Sequence, residues 1–210
     1  MTIPYLSEFL MLAALHIAVV ISPGPNLTLV AKNSVTMQFR LTLYCVFGIA
    51  VGSFLHVSFA ILGLSGFVVR VPTLYLALQF LGASYLIYVG FKALKTKPYD
   101  VDAEVAHSAR VSTACTAFRE GFINMMGNPK AYLFVFALFT QVVGATPIII
   151  KVLYGVWMSL VDIVWFAFVA FLLSSPLVKT RFTSKLHYLA RVFGIVLIGF
   201  GLRILVSPFL

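Results

Sequence analysis

Two apolar stretches of this chain are each interrupted by proline among small and polar residues. The first interruption, at residues 22–26, reads Ser-Pro-Gly-Pro-Asn, and the second, at residues 124–130, reads Asn-Met-Met-Gly-Asn-Pro-Lys. Proline has no amide hydrogen and clashes with the preceding turn, so Pro23, Pro25 and Pro129 predict helix breaks. Freed backbone groups inside a bilayer survive only where they face protein, water or a solute. The paired breaks therefore indicate a site that could grip a small polar solute.

The second break has the pattern of a new helix start. Asn128 followed by Pro129 is the sequence of an N-cap and a first-turn proline, and the amides of such a start attract anions. An amino-acid carboxylate is a plausible occupant, and Lys130 could counter its charge or pair with backbone carbonyls. The candidate solute-binding residues at the two breaks are Pro23, Gly24, Pro25, Asn26, Asn128, Pro129 and Lys130.

Asp162 is a further candidate because it is an acid in the middle of an apolar run. A carboxylate at that depth needs a partner, which could be the ammonium of a solute, Lys130 or His56. Since histidine titrates near neutral pH, Asp162 and His56 are the candidates for coupling transport to protons. His16 and Gln79 are explained more simply by packing.

The composition predicts that these residues lie in a membrane protein. The 210 residues are 61% hydrophobic and 10% charged, with a mean hydropathy of +1.05, which leaves too little polar surface for a soluble globule. A spanning helix needs about 20 apolar residues. Six runs reach that length, at 5–31, 41–69, 73–94, 114–143, 148–173 and 186–206. The predicted fold is all-α with six transmembrane helices, of which the first and fourth are broken.

The net charge of +9 comes from Lys and Arg residues whose positions predict the orientation in the membrane. It gives no reason to expect a nucleic-acid partner. Eleven of the 15 Lys and Arg residues fall in the loops that would be cytoplasmic if the N-terminus were outside. Positive loops favour the cytoplasmic side. We therefore expect a bacterial inner-membrane protein with both termini in the periplasm. The first run has Glu8 where a signal peptide would be basic, and we expect it to be retained.

The chain divides into two similar halves within one membrane transport domain. The mixed-charge stretch 95–113 predicts a cytoplasmic linker between repeats at 1–94 and 114–210. Pro25 and Pro129 are 104 residues apart, while Gly48 and Gly155, each opening a Gly-x3-small pattern, are 107 apart. Three crossings reverse the chain, so the repeats would be inverted, as in many secondary transporters.

Across nearly its whole length the chain resembles the LysE/RhtB family of amino-acid exporters. The resemblance lies in the motifs at residues 22–25, 48–52, 82–90, 121–122 and 128–130. It implies a six-helix inner-membrane protein that exports amino acids or close derivatives, driven by the proton-motive force. The threonine, homoserine and leucine branch is the most similar.

Two other functions remain open from the sequence. An intramembrane thiol-disulfide electron carrier would use Cys45 and Cys115, which lack CxxC spacing and lie outside both breaks. A non-transporting assembly subunit is the second alternative. Enzymatic activity is not expected, because the chain has no HExxH, GxSxG or paired-acid motif. We expect no cofactor or metal. The expected partners are an amino acid, protons and the lipid bilayer, and a homo-oligomer with further copies of this chain is compatible with the sequence.

Overall fold

The computed structural model describes residues 5–63, 72–96, 113–141, 146–174 and 176–206, and the regular structure in these ranges is helical throughout. Eight helices are seen there: α1 (Leu6–Ile21), α2 (Pro25–Thr36), α3 (Phe39–Gly63), α4 (Pro72–Leu94), α5 (Ala114–Met126), α6 (Pro129–Gln141), α7 (Ile148–Leu173) and α8 (Pro176–Val206). Most of the predicted linker, residues 97–112, lies outside the described residues.

The helix breaks predicted at both proline motifs are confirmed. α1 ends at Ile21 and α2 begins at Pro25, and the two axes differ in direction by 52°. Likewise α5 ends at Met126, and α6 begins at Pro129. In both cases a proline is the first residue of the second half-helix, where its missing amide hydrogen costs nothing because that position has no helical acceptor.

Three described helices are long and apolar enough to cross a membrane: α3, α7 and the 187–206 part of α8. The bent pair α1–α2 passes the same test as one unit, which gives up to four spans. Large side chains on the outer faces, such as Leu62, Val164 and Ile195, are 65–70% exposed. A face of this kind suits lipid. The six-span inverted repeat stays a prediction.

Two helix bounds differ from those predicted. α8 begins at Pro176, ten residues before the apolar run at 186–206. The apolar run did not include its first turns because they are rich in Lys, Arg, Ser and Thr. Such residues are too polar for hydrocarbon but compatible with a helix. Similarly, α2 continues to Thr36 and buries Asn33, which donates a hydrogen bond to Glu120 (Nδ2 to Oε2, 3.2 Å).

Close helix contacts fix the frame around the breaks. α3 packs most closely on α5, where a Cβ on Gly48 would collide with the Phe118 carbonyl oxygen and one on Gly121 with that of Cys45. α4 packs on α8, where a Cβ on Gly90 would lie 2.7 Å from the Gly194 carbonyl oxygen. Small residues allow such approaches between membrane helices. With α7 also packed on α3, the breaks are surrounded by helices on several sides.

Candidate functional site

An internal cavity lies between the two breaks. Its polar lining comes from five helices and both break segments: His16, Ser22, Gly24, Asn26, Ser53, Asn128, Lys130 and Asp162. Apolar residues complete the wall: Val19, Val20, Leu27, Met125, Ala131, Phe134, Val135, Met158 and Phe166. The space open to water-sized molecules is about 40 Å³. A water molecule needs roughly 10–15 Å³ on this measure, so the cavity holds a few waters and is too small for an amino acid.

Lys130 crosses from α6 to the end of α1. Its ammonium donates to the Val19 carbonyl at 2.9 Å, the Ser22 carbonyl at 2.7 Å and the Ser22 hydroxyl at 3.1 Å. In a continuous helix the Val19 carbonyl would accept from the amide of residue 23, which is Pro23 and has no hydrogen. Lys130 therefore replaces the hydrogen bond that the proline removes. Its ammonium caps this break instead of standing free in the cavity.

The second break satisfies its own backbone. The Asn128 side-chain oxygen accepts from the Lys130 amide at 3.1 Å, which is the N-cap bond predicted for this residue. The Asn128 amide donates to the Met125 carbonyl at 3.0 Å, the group whose helical partner would have been Pro129. The start of α6 is thus already capped by a side chain.

The start of α2 has no such cap. Its N-cap residue is Gly24, which has no side chain to accept from the first amides, and Pro25 occupies the first helical position. Gly24, Asn26 and Leu27 all line the cavity. Uncapped amides at a helix start attract anions, so the start of α2 is a better binding site for an acidic group of a solute than the start of α6. Sequence reasoning had favoured α6.

Asn26 makes the reciprocal crossing at the other break. It follows Pro25 as Lys130 follows Pro129, and it reaches the end of α5. Its side-chain oxygen accepts from Asn124 Nδ2 at 2.7 Å, and its own Nδ2 lies 3.1 Å from the Met125 sulfur. Each second half-helix therefore sends the residue after its proline to the opposite first half-helix.

Asp162 lies in the cavity wall and pairs with His16. Asp162 Oδ1 is 3.5 Å from His16 Nε2, and both side chains are about 95% buried. Ser53 from α3 lines the same cavity as Asp162. A distance of 3.5 Å is longer than an ordinary N–H···O bond, so the contact between Asp162 and His16 is loose. Sequence reasoning explains His16 by packing and therefore misses it as a residue of the candidate site.

His56 is not brought to Asp162. Its buried ring packs edge-on against Tyr132, with ring centroids 5.5 Å apart, near the backbone of Met126. The similar spacing of His56, 8 residues after Gly48, and Asp162, 7 residues after Gly155, suggests a partnership. The histidine that lines the cavity with Asp162 is His16 instead. Cys45 is buried in the packing between helices, while Cys115 is exposed, and both are free. Neither lines the cavity.

A second cavity of about 160 Å³, which we call the vestibule, lies against the first. Pro23, Pro25 and Pro129 line it, together with Tyr88 and Lys92 of α4 and Thr96 just beyond its end. Four residues line both spaces, and they form the partition between them: Ser22, Gly24, Asn128 and Lys130. Every residue predicted at the breaks therefore lines one or both spaces. No group of three or more His, Cys, Asp or Glu that could hold a metal occurs in the parts of the chain that the structure describes.

Comparison with known proteins places these features in context. The sequence model of the LysE type translocator family matches residues 17–208. The chain is 28% identical over 197 residues to the leucine efflux protein of Salmonella typhimurium, covering 90% of each chain. It is 26% identical over 208 residues to the threonine efflux protein of Escherichia coli, covering 95% of this chain and 98% of that one. An uncharacterized membrane protein of Bacillus subtilis, YrhP, is 26% identical over 192 residues, 88% of this chain and 91% of that one. No solved structure matches significantly.

Proposed function

The chain belongs to the LysE type translocator family, and from this premise we propose that it is a secondary transporter that exports amino acids or close derivatives from the cytoplasm. It is a multi-pass membrane protein, and as a member of a translocator family it is not an enzyme. The sequence similarity to leucine and threonine efflux proteins covers nine-tenths or more of this chain, which supports the same kind of cargo.

The observation that carries the proposal is the pair of opposite poles in one cavity. On one side are the uncapped start of α2 and the nearby Lys130 charge, which suit a carboxylate. On the other is Asp162, which suits an ammonium group. A zwitterionic amino acid presents these two groups on one carbon atom, so it matches both poles at once.

The remaining wall favours a neutral side chain. Between the poles the lining is mainly aliphatic and aromatic: Val20, Leu27, Phe134, Val135, Met158 and Phe166. A second charge on the solute would be buried there without a partner, at a cost of several kcal/mol. We propose a neutral amino acid as the solute.

The small cavity corresponds to a closed conformation. Because about 40 Å³ cannot hold an amino acid, binding requires the walls to separate. The vestibule of about 160 Å³ meets the cavity at the Lys130 partition and continues to Lys92 and Thr96, at the start of the predicted cytoplasmic linker. We propose that a solute enters by this route and leaves on the opposite side. With both termini in the periplasm, this direction is export.

The driving force is proposed to be the proton-motive force. Asp162 is a buried acid in the cavity and can take either the solute ammonium or a proton. His56, buried in α3, is retained as a second candidate for the coupled proton. Coupling through either residue would make export faster when the outside is acidic.

The test is efflux from proteoliposomes loaded with a panel of labelled amino acids. We expect the wild-type protein to export leucine- or threonine-like solutes, and faster with a proton gradient directed against solute movement. Failure to move any member of the panel, by protein shown to be folded, would overturn export.

Asp162→Asn provides the matched variant, because it keeps the shape and removes the charge. A charge-assisted hydrogen bond contributes about 1.5–3 kcal/mol, so efflux should fall by roughly 10–150-fold. Thermal stability in detergent should change little. Leu160→Asn, on a lipid-exposed position of the same helix, controls for polarity as such. Undiminished efflux by Asp162→Asn would remove that residue from the mechanism.

A further inference from the structure

We propose that His16 is the proton carrier of this transporter, and that its imidazolium occupies at Asp162 the place that the solute's ammonium takes during export. The inference rests on the proposed function and assigns the coupled proton to a residue that the sequence did not single out. Solute and proton would then compete for one carboxylate. This competition exchanges one for the other.

The first support is the geometry of the pair. His16 Nε2 is the nearest cation-forming group to Asp162, at 3.5 Å, and both residues line the same cavity. Lys130 lines that cavity too, but its ammonium is held by the Val19 and Ser22 carbonyls. The Asp162 carboxylate is therefore paired with a side chain that carries a positive charge when protonated and that an incoming ammonium could replace.

The second support is how little else holds the His16 ring. Its Nδ1 is buried and has no hydrogen-bond partner among the described residues. The ring otherwise contacts aromatic faces, stacking on Phe134 with centroids 6.2 Å apart and meeting Trp157 edge-on at 5.9 Å. An imidazolium that lost Asp162 would be a buried charge without a counter-ion. It would release its proton, since an unpaired buried charge is far costlier than a neutral ring.

The surroundings contain few competing groups. Among the described residues in the cavity wall, the ionisable ones are His16 on α1, Lys130 on α6 and Asp162 on α7; α2, α3 and α5 contribute Asn26, Ser53 and Met125. The other ionisable side chains described on the helices lie outside that wall, namely Glu8, Lys32, Arg40, Tyr44, Cys45, His56, Tyr85, Tyr88, Lys92, Cys115, Arg119, Glu120, Tyr132, Lys151, Tyr154, Lys185, His187, Tyr188, Arg191 and Arg203. The cavity therefore has one group, His16, whose ordinary titration falls near neutral pH.

The cycle balances one proton against one solute. Facing the cytoplasm, the solute ammonium displaces the imidazolium from Asp162, the Nε2–H bond breaks, and the proton passes to cavity water and the cytoplasm. Facing outward, a proton from the exterior binds Nε2, and the imidazolium regains Asp162 and displaces the solute. One proton thus enters for each zwitterion exported.

A binding measurement on the wild-type protein tests the exchange directly. Saturating leucine or threonine is added to weakly buffered protein in detergent between about pH 6 and pH 7.5, where a histidine is partly protonated. We expect close to one proton released per solute bound near the lower pH. Binding without proton release across this range would overturn the inference, whereas absence of binding and efflux alike would overturn the proposed function first.

His16→Gln separates coupling from structure in proteoliposomes. The variant keeps a hydrogen-bonding side chain that cannot titrate, so solute-for-solute exchange at equal pH, which needs no net proton transfer, should fall less than gradient-driven efflux. The stimulation of efflux by a proton gradient should fall by about tenfold or more, and the pH profile of KM should flatten, because the side chain that carries the proton has been removed. His187→Gln, which replaces a buried histidine outside the cavity, should keep both properties.

Three results would contradict the role of His16. Retained gradient stimulation in His16→Gln would remove it from coupling. Loss of stimulation in His56→Gln but not in His16→Gln would transfer the role to His56. Equal loss of exchange and stimulation in folded His16→Gln would mean that the residue only positions Asp162.

Discussion

The two helix breaks follow the same pattern in sequence but complete their hydrogen bonds differently. At the second break, Asn128 supplies both the cap for the start of α6 and the donor for the Met125 carbonyl. At the first break, Gly24 has no side chain to cap α2, and the Val19 carbonyl is satisfied by Lys130 from the opposite half of the chain. One break is self-contained, while the other depends on its partner.

This difference suggests separate roles for the two breaks, with the second supporting the fold and the first binding the solute. The self-contained break can keep its geometry when the halves move, because its bonds are local. The dependent break leaves the amides of α2 open to the cavity, and its carbonyls stay satisfied only while Lys130 reaches them. We therefore expect solute binding to change the first break, with the second acting as the fixed support.

Replacing Lys130 should give the largest effect. Lys130→Met removes the donor to the Val19 and Ser22 carbonyls and keeps a long, unbranched side chain. Each buried group left without a partner costs about 1–3 kcal/mol, so we expect a loss of about 3 kcal/mol or more. At roughly 2–4 °C per kcal/mol for a chain of this size, the melting temperature in detergent should fall by about 10 °C.

The control for this change is Lys95→Met, which alters an exposed lysine near the end of α4. It should leave the melting temperature within about 1–2 °C, since exposed substitutions usually change stability by no more than about 0.5 kcal/mol. A stable Lys130→Met protein with normal efflux would show that the first break is not dependent on the opposite half.

Removing the local cap should give a smaller effect. Asn128→Ala deletes the side-chain oxygen that accepts from the Lys130 amide but leaves the backbone bond from residue 128 to Met125 possible. Loss of an N-cap costs about 0.5–2 kcal/mol. The thermal shift should therefore be clearly less than for Lys130→Met. Asn128→Asp should restore most of it, because aspartate is an equally good cap. If Asn128→Ala were the more damaging change, the second break could not be the self-contained one.

Much of this arrangement could be predicted from the sequence, and the reason is local chemistry. Proline lacks an amide hydrogen at any position, so the breaks at Pro23, Pro25 and Pro129 could be predicted. The cap at Asn128 could be predicted as well. The chemical type of Asp162 made it a candidate without knowledge of its neighbours. These conclusions needed only residue types and short spacings.

Pairings between helices were not predictable in the same way. His16 and His56 are both single histidines in apolar helices, and only helix rotation decides which of them faces Asp162. The same holds for the Lys130 contact with Val19, which is 111 residues away along the chain. Sequence reasoning also assigned the anion-attracting helix start to α6, where it correctly predicted Asn128 as the cap. It did not compare this capped start with that of α2, where Gly24 has no side chain to cap the first amides.

The smallest effect is expected at Gly24, where the two breaks meet in space. A Cβ added there would lie 3.3 Å from Cδ and Nζ of Lys130, a tight contact with the end of a flexible side chain. Gly24→Ala should therefore shift the ammonium by a few tenths of an ångström and change stability by about 1 kcal/mol or less. Its effect on transport should be larger in proportion, because the displaced group belongs to the partition between the cavity and the vestibule. Gly199→Ala is the matched control, since a Cβ there meets nothing within 4 Å. Measured KM for the exported amino acid should rise a few-fold in Gly24→Ala and stay unchanged in Gly199→Ala. Equal KM values in both would mean that the Lys130 partition does not bear on solute entry, and the first break would then be only a structural joint.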